Sequence, residues 1–294
     1  MSLREFPSLS VALETLFPGD PIVRRGPGGG GGCINSVSTI ILKSGLTVFL
    51  KENGRAPSAM FREEAKGLEA LIGAYPLKVP KPLALGKENG SSFLLLEYIE
   101  RGVKGRDYWS SFGRALSQMH REGAGLSFGF DSNNFIGSTV QINERMERWS
   151  DFFAEKRLLH QVELARSARL ADSEMSRGVE SICHRMADLL PEPEFPSLLH
   201  GDLWSGNFMV DKRGEAVLID PAVYYGHREA DLAMTELFGG FNRAFYQAYN
   251  EAFPLEPGYG ERRDLYNLYH MLNHLNLFGS SYSSSVRSII SRYS

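Results

Sequence analysis

Residues 197–231 read SLLHGDLWSGNFMVDKRGEAVLIDPAVYYGHREAD. Within them, the apolar runs FMV and AVLI flank the polar, glycine-ended residues 211–214, a pattern typical of a β-hairpin. Such a hairpin brings Asp220, at its end, back beside Asn207, which precedes it. A carboxylate and an amide oxygen are hard ligands, and Mg²⁺ is the usual cation for them beside phosphates. The stretch therefore predicts a magnesium site formed by Asn207 and Asp220.

Asp202 lies upstream of Asn207 and directly follows the pair His200-Gly201. In the phosphoryl-transfer template of kinases, an Asp of the catalytic loop receives the hydroxyl proton, and a later Asn and a later Asp hold the metal. The D-x-x-x-x-N pattern alone is weak, because Asp and Asn are common in loops and turns. Joined to His200-Gly201 and to Asp220 after a strand, the pattern favours a kinase-like site over a polar loop beside an unrelated hairpin.

This run resembles the fructosamine kinase (ketosamine-3-kinase) family, a branch of the aminoglycoside and choline kinase relatives of protein kinases. Further motifs that resemble the family are GGGGGCIN at residues 28–35, VFLKEN at 48–53, FREEAKGLEAL at 61–71 and NFIGSTVQ at 134–141. The resemblance thus extends over nearly the whole chain. The WSG insert in the catalytic loop and the DPA in place of a DFG separate this family from protein kinases.

The resemblance implies an α+β, bilobal, protein-kinase-like fold. Residues 1–99 would form an N-terminal, nucleotide-binding lobe with an antiparallel sheet, one main helix and the hinge at its end. Residues 100–294 would form a mainly helical C-terminal lobe with the catalytic and metal-binding loops and the acceptor site. The implied activity is ATP- and Mg²⁺-dependent phosphorylation of a ketosamine, such as fructosyl- or ribulosyl-lysine, free or in a glycated protein, on O3 of the sugar.

Two other functions stay open: an aminoglycoside or choline kinase of the same fold, and a pseudokinase that acts as a nucleotide-binding scaffold. Five residues that argue against a pseudokinase are present: Lys51, Glu64, Asp202, Asn207 and Asp220. A polycationic aminoglycoside is expected to need a strongly acidic acceptor surface. Residues 232–294 instead contain five acidic residues and five arginines. This balance fits an acceptor with one amine and several hydroxyls.

The run of five glycines, residues 28–32, lies between two strand-like segments. Alone it would be a flexible connector. Between strands, glycines let backbone N–H groups approach phosphate oxygens, so Gly30, Gly31 and Gly32 are predicted to bind the nucleotide. Cys33 follows directly, and nearby N–H groups would favour its thiolate, so oxidation of Cys33 is expected to slow the enzyme. The alternative is that Cys33 is only a small residue and that its oxidation does not affect the enzyme.

Lys51 ends a strand-like run, and the kinase template uses such a lysine to hold the α- and β-phosphates. Residues 61–70 are predicted to form a helix, in which the resemblance places Glu64 as the ion-pair partner of Lys51. Glu63 is the rival partner. Glu64 is preferred because it shares a helix face with apolar residues, including Leu68, that should point at the sheet.

The segment EYI, residues 97–99, resembles the hinge that joins the two lobes of kinases. In kinase-like folds this segment binds adenine through its backbone, so Glu97 and Ile99 are predicted to contact the nucleotide. The domain boundary is accordingly placed near Glu100.

The resemblance also assigns roles around the catalytic loop. Asp202 is the expected base, or at least orients the hydroxyl; its ordinary pKa near 4 makes it a weak base, but in a loose transition state positioning matters more. His200 is expected to pack within the loop, and Asp231 to begin a helix and brace the loop, which an N-cap role would also allow. The candidates for substrate contact are Trp204, Tyr224, His227 and Glu229. Trp204 would lie against the sugar or its secondary ammonium, and Glu229 would pair with that ammonium.

Helical spacing of apolar residues predicts a mainly helical second half. One helix is expected to begin near Asp107 as its N-cap, and a long second helix near Asn143. His270 and His274 lie one turn apart, but no third ligand accompanies them, so they are predicted to be helix-surface or core histidines.

The composition is that of an ordinary globular protein, with 43% hydrophobic and 23% charged residues. A formal net charge of −3 gives no electrostatic reason to bind nucleic acid. The N-terminus lacks a secretory signal, and no apolar run approaches the length of a membrane span, so a cytoplasmic protein without a membrane contact is expected. Two cysteines exclude a disulfide framework or a zinc site. The oligomeric state stays open.

Overall fold

A computed structural model describes residues 3–27, 35–54 and 59–293 of the chain. The predictions made for Gly30, Gly31, Gly32 and Cys33 concern positions outside these residues. The described part consists of an N-terminal sheet packed with helices, followed by a mainly helical portion, which agrees with the predicted α+β class.

Six strands form the N-terminal sheet: β1 (Glu5–Phe6), β2 (Ile22–Pro27), β3 (Ser36–Leu42), β4 (Thr47–Asn53), β5 (Pro82–Glu88) and β6 (Ser91–Glu97). Their spatial order is β1-β5-β6-β4-β3-β2. Neighbours are antiparallel, as predicted, except that the short edge strand β1 runs parallel to β5. Lys51 lies in the inner strand β4, opposite Leu94 of β6, so it is not an edge residue.

Both faces of the sheet are covered, which explains why residues of β6 are apolar without alternation. Phe93 and Leu95 pack with helix α1 (Leu9–Leu16) in one hydrophobic cluster. Leu94 packs on the other face, in a cluster that includes helix α2 (Ala59–Gly73). Because successive side chains of a strand point to opposite faces, a strand covered on both sides buries every side chain.

The helical portion follows the sheet. Its helices are α3 (Tyr108–Glu122), α4 (Trp149–Phe152), α5 (His160–Ser167), α6 (Ser173–His184), α7 (Met186–Leu189), α8 (Glu229–Leu237), α9 (Arg243–Ala252), α10 (Tyr259–Phe278) and α11 (Ser283–Tyr293). A π-helical segment, Phe153–Leu159, joins α4 to α5, and a 3₁₀ turn, Ser280–Tyr282, precedes α11. None of the described helices is long and apolar enough to cross a membrane. The sheet ends at Glu97 and α3 begins at Tyr108; a domain boundary near Glu100, between them, stays a prediction.

One of the two predicted helix starts is confirmed and the other needs correction. α3 begins at Tyr108 with Asp107 at its N-cap position, as predicted, although the Asp107 side chain makes no capping hydrogen bond. The long second helix begins at Trp149 rather than near Asn143. Its first turn is capped from a distant loop, since Glu192 Oε2 accepts a hydrogen bond from Trp149 N at 2.6 Å. The Asn143 side chain is buried in a hydrogen-bond network instead, so it is not available to begin a helix.

Three short pairs of strands complete the fold. They are β7 (Asn134–Ile136) with β8 (Thr139–Gln141), β9 (Ser197–Leu199) with β12 (Tyr224–Gly226), and β10 (Phe208–Val210) with β11 (Ala216–Leu218). The last pair is the predicted hairpin, antiparallel with Phe208 opposite Leu218. The catalytic loop lies between β9 and β10, and the end of β11 leads to Asp220.

Candidate active site

A cleft of about 890 Å³ is lined by residues of the sheet and of the helical portion. This volume lies within the usual range of small-molecule sites. The described residues with predicted catalytic, metal-binding and nucleotide-binding roles all line the cleft: Lys51, Glu64, Glu97, Ile99, Asp202, Asn207 and Asp220. The structure therefore brings together residues that are far apart in the sequence. Lys51 and Asp220, for example, are 169 positions apart. The roles assigned to them stay predictions.

The ion pair predicted between Lys51 and Glu64 is present, with Nζ 2.5 Å from Oε1. The Lys51 ammonium also contacts the carboxylate of Asp220. Burial alone would lower the pKa of Lys51, but the charges of Asp220 and Glu64 outweigh it and raise that pKa above its ordinary value. Lys51 is thus a fixed positive charge in the cleft. Glu63, the rival partner, pairs with Lys66 instead.

Asp220 has a backbone φ of 54°, in the left-handed region that few residues other than glycine adopt. Just before it, Ile219 N donates a hydrogen bond to Asn207 O at 3.0 Å. This bond continues the pairing of β10 with β11 and holds the two predicted metal ligands beside each other. An uncommon backbone conformation persists only where its surroundings fix it, as is typical of functional sites.

Asn207 orients Asp202. Its Nδ2 donates to Oδ2 of Asp202 at 2.9 Å and to the backbone oxygen of Asp202 at 2.8 Å. Burial raises the pKa of Asp202 to about 7; the hydrogen bond from Asn207 acts against this rise, and the negative charges of Asp220 and Asp231 add to it. A pKa near neutrality makes Asp202 a better proton acceptor than the ordinary carboxylate assumed from the sequence.

Asp231 holds the catalytic loop in place. Its carboxylate accepts hydrogen bonds from the backbone N–H groups of His200 at 2.7 Å and Gly201 at 2.8 Å. Burial alone would raise the pKa of Asp231, but the hydrogen bond from His120, with other favourable contacts, lowers it. The predicted brace is therefore present. The N-cap interpretation is wrong, because Asp231 lies inside the first turn of α8, whose N-cap is Arg228.

His200 is fully buried, as expected for a residue that packs within the loop. Its Nε2 lies 2.9 Å from Ile219 O, and burial lowers its pKa, so the neutral ring donates this hydrogen bond. The next residue, Gly201, has a φ of 82°, and a Cβ there would lie 2.0 Å from the backbone oxygen of Ala222. Only glycine fits where the catalytic loop crosses the segment after Asp220.

The β10–β11 hairpin is anchored to the sheet side of the cleft at two points. Leu218 N donates a hydrogen bond to Lys78 O at 2.9 Å. Gly102 N, just after the hinge segment, donates to Val210 O at 3.0 Å. The buried carboxylate of Asp211, in the hairpin turn, also accepts a hydrogen bond from Lys78 Nζ at 3.4 Å. The strands that carry the predicted metal ligands are thus fixed to the segment that follows the predicted hinge as well as to the predicted catalytic loop.

Asn207 and Asp220 fit Mg²⁺ as oxygen donors. Asn207 uses its Nδ2 on Asp202, so its Oδ1 is the atom that can bind a cation. Over residues 3–27, 35–54 and 59–293, no group of three or more His, Cys, Asp or Glu side chains is arranged to hold a metal. Two protein oxygens completed by phosphate and water oxygens are the usual ligand set of Mg²⁺ in kinase sites.

Trp204 is the one predicted substrate residue that lines the cleft. Trp204 is 36% exposed. The ring meets Phe238 edge-on, with 5.9 Å between the ring centroids. Trp204 therefore places an aromatic ring at the cleft.

The other three substrate predictions are contradicted by burial. Tyr224 lies in the core, with the Arg157 guanidinium 4.0 Å from its ring centroid. His227 packs among aromatic rings, and burial lowers its pKa to about 3. Glu229 is fully buried and pairs with Arg262 at 2.6 Å. These three side chains stabilise the helical portion and do not line the cleft.

The sequence analysis missed the contribution of α10 to the cleft. Asn273, His274 and Phe278 of this helix line it near Trp204. The His274 ring lies 5.1 Å from Phe238 and 5.4 Å from Phe278, measured between centroids. The spacing of four residues between His274 and Phe278 puts them on one helix face, which was the available signal.

Residues 25–294 match the family model of fructosamine kinases. The chain is 43% identical to a Synechocystis protein named probable ketoamine kinase, over 88% of this chain and 87% of that protein. It is 45% identical to the chloroplastic protein-ribulosamine 3-kinase of Arabidopsis thaliana, over 90% of this chain and 81% of that protein.

A solved structure has the same fold. The crystal structure of a protein assigned as a fructosamine-3-kinase of Haemophilus somnus superposes with a TM-score of 0.86, at 30% identity, over 97% of this chain and 96% of that one. The predicted bilobal, kinase-like fold is thereby confirmed. Since the family model and these relatives each cover most of its length, the chain belongs to the fructosamine kinase family and is a phosphotransferase.

Proposed function

We propose that the protein is an ATP- and Mg²⁺-dependent kinase that phosphorylates the O3 hydroxyl of ketosamines, free or attached to protein lysines. The observation that carries the proposal is that Lys51, Asp202 and Asp220 line one cleft in a chain of the fructosamine kinase family. Two relatives are named for ketoamines and for protein-ribulosamines, which supports this acceptor class.

The nucleotide would lie on the sheet side of the cleft. The hinge residues Glu97 and Ile99 line it and would bind adenine through their backbone atoms. Lys51, held by its pair with Glu64, would neutralise phosphate charge. Mg²⁺ held by Asn207 and Asp220 supplies further charge stabilisation on the phosphates when it is bound.

In the transfer step, the O3 oxygen of the sugar forms a bond to the γ-phosphorus. The bond between the γ-phosphorus and the β–γ bridging oxygen breaks, and ADP leaves with that electron pair. The hydroxyl proton passes to Asp202, whose carboxylate is held by Asn207. Because the transition state is loose, the orientation of the hydroxyl contributes more than the basicity of Asp202.

The charges around α8, α10 and α11 support an acceptor with one ammonium group. Three acidic side chains there are paired with arginines of the protein: Glu229 with Arg262, Glu236 with Arg263 and Asp264 with Arg292. They therefore do not form the acidic surface that a polycationic aminoglycoside would need. Trp204 offers a ring to the C–H face of a sugar or to a secondary ammonium.

A panel of acceptors tests the proposal. ADP formation is measured with MgATP and equal concentrations of fructosyl-lysine, ribulosyl-lysine, kanamycin or choline, and the product is located by ³¹P NMR. We expect the two ketosamines to stimulate turnover far more than the others, with the phosphate on O3. Asp202→Asn, which keeps the size of the side chain, should abolish this turnover while the protein stays folded.

Two outcomes would contradict the proposal in different ways. If kanamycin or choline were the best acceptor, the kinase site would stand and the ketosamine assignment would be wrong. If no acceptor stimulated turnover and Asp202→Asn behaved like the wild type, the protein would be a nucleotide-binding scaffold.

The cytoplasmic location expected from the sequence stays a prediction. The Arabidopsis relative is named as chloroplastic, so membership of the family does not determine the compartment. Fractionation of the source cells followed by immunodetection would locate the protein.

A further inference from the structure

Glu63, to which the proposed mechanism gives no role, lines the cleft and lies on helix α2 beside Glu64. Only 9% of Glu63 is exposed. Its carboxylate accepts a hydrogen bond from the Ser132 hydroxyl, in the helical portion, and pairs with Lys66 Nζ at 2.8 Å. Lys66 Nζ also donates to Ser132 Oγ at 3.2 Å, which closes a three-membered polar cluster. Glu63 thus joins α2 to a loop on the other side of the cleft.

The Ser132 end of this contact is firmly held. The backbone oxygen of Ser132 accepts a hydrogen bond from Asn143 Nδ2 at 3.1 Å, and Asn143 Oδ1 accepts one from Arg157 Nη2 at 2.8 Å. Arg157 is fully buried, with its guanidinium against the Tyr224 ring. A buried, hydrogen-bonded charge of this kind is costly to displace. Ser132 is therefore a fixed point to which α2 is attached.

A second contact brings α2 close to the segment that follows Asp220. A Cβ added to Gly67 would lie 2.9 Å from Val223 Cγ2 and 3.7 Å from Pro221 Cγ. A larger side chain there would require either the Val223 side chain or α2 itself to shift. The helix is thus placed by Gly67 at its middle and by Glu63 at the turn that carries Glu64.

These contacts determine where Glu64 lies. Glu64 pairs with Lys51 at 2.5 Å, and a rotation or an outward movement of α2 would take Glu64 away from Lys51. Either movement would separate Glu63 from Ser132 and leave a buried carboxylate without its hydroxyl partner, which is unfavourable. We propose that Glu63 is a positioning residue that keeps α2 in the orientation in which Glu64 holds Lys51. This inference rests on the proposed kinase function, in which Lys51 serves the nucleotide.

The first test measures the state of Lys51 without any substrate. Short pulses of an amine-reactive acetylating reagent are applied to the protein, and the labelling of Lys51 is followed by mass spectrometry. We expect Glu63→Ala and Ser132→Ala to increase the labelling rate of Lys51 several-fold, because the pair with Glu64 opens more often. Glu63→Gln keeps an oxygen for the Ser132 hydroxyl and should stay close to the wild type. Glu69→Ala removes an exposed glutamate of the same helix and is the matched control.

The second test is a double-mutant cycle on kcat. If Glu63 acts only through Glu64, Glu63→Ala should lower kcat about 10- to 100-fold, the effect of a displacement of about 1 Å at a catalytic group. The same substitution in a Glu64→Ala background should then lower kcat no further. A purely structural role would give additive losses, together with a lower melting temperature and unchanged Lys51 labelling.

The results of the two tests decide whether Glu63 positions α2. Wild-type labelling of Lys51 in both Glu63→Ala and Ser132→Ala would overturn it, and so would additive effects on kcat. If Glu63→Ala did not fold, Ser132→Ala would decide, since it removes only a hydroxyl. Failure of the proposed function would be seen separately, as absence of ketosamine phosphorylation by the wild type, and the labelling result would still hold.

Discussion

Glu229 and Arg262 form a buried bidentate pair, in which Nε donates to Oε2 at 2.9 Å and Nη2 donates to Oε1 at 2.6 Å. The glutamate side chain is fully buried, and the arginine side chain is 12% exposed. The pair joins α8 to α10, two helices that pack on each other. The carboxylate that was expected to bind a substrate ammonium therefore connects these helices.

Removal of Glu229 should destabilise the protein rather than weaken acceptor binding. Glu229→Ala leaves the Arg262 charge buried without its partner, and such a change costs about 3–5 kcal/mol of the free energy of unfolding. The free energy is measured by urea unfolding, and the KM for the ketosamine is measured on the folded fraction. A large rise in KM with unchanged stability would restore the substrate role.

Asp220→Ala should abolish turnover while the protein stays folded. Loss of a metal ligand removes several kcal/mol of transition-state stabilisation, and each 1.36 kcal/mol corresponds to about tenfold in rate. The measurements are kcat at saturating MgATP and the near-ultraviolet circular dichroism of the variant. Asp188→Ala, at an exposed helical position, is the control. Near-normal turnover in Asp220→Ala would show that Asp220 does not bind the metal.

Asp231→Asn should slow catalysis without changing the affinity for ATP. The substituted amide has one oxygen in place of the two that accept hydrogen bonds from His200 and Gly201, so one backbone N–H of the catalytic loop loses its partner. A small shift of Asp202 would follow, and we expect kcat to fall about 10- to 100-fold. Steady-state kinetics and equilibrium binding of ATP separate the two effects. An unchanged kcat would mean that the loop keeps its position without this brace.

The protein should lose stability below about pH 6.5, the ordinary pKa of histidine. Burial lowers the pKa of His227 and of His270 to about 3. Above pH 6.5 both histidines are neutral in the folded and the unfolded chain, and their contribution to stability is fully present. As the pH falls, the unfolded chain binds protons that the folded chain does not, so stability decreases by about 1.4 kcal/mol per pH unit for each such histidine.

His270→Gln isolates one of these contributions. Between pH 6 and 5 the free energy of unfolding of the variant should decrease less steeply than that of the wild type. The reason is that unfolding of the variant takes up about one proton fewer. Urea unfolding at several pH values measures the slope. The exposed His184 provides the matched control, His184→Gln. Equal slopes in His270→Gln and the wild type would show that His270 binds its proton in the folded state too.

The sequence predicted the parts of the site that depend on short-range patterns. Asn207 and Asp220 are joined by one hairpin, so the positions of both follow from the strands and the turn between them. Glu64 could be chosen over Glu63 because helix periodicity separates the two faces. The hairpin and the choice between the two glutamates needed only local geometry, whereas the pairing of Glu64 with Lys51 came from the family resemblance.

The sequence could not predict which polar residues would be buried by distant segments. Tyr224 and Glu229 occur in the motif-rich stretch, yet their partners, Arg157 and Arg262, lie far away in the chain. The prediction of where the long helix begins was wrong for a similar reason. The residue that caps this helix, Glu192, comes from a remote loop. Partners of this kind depend on the tertiary arrangement, and no spacing in one sequence records them.

One hydrophobic cluster extends from Phe61 in α2, beneath the sheet, through Trp149 to Ile290 in the last helix. Since its members come from both sides of the cleft, unfolding either side would expose apolar surface on the other. Calorimetry should therefore show a single transition, with the calorimetric and van't Hoff enthalpies in agreement. We expect the two sides, which differ in architecture, to unfold as one cooperative unit, so neither should fold as a separately expressed fragment.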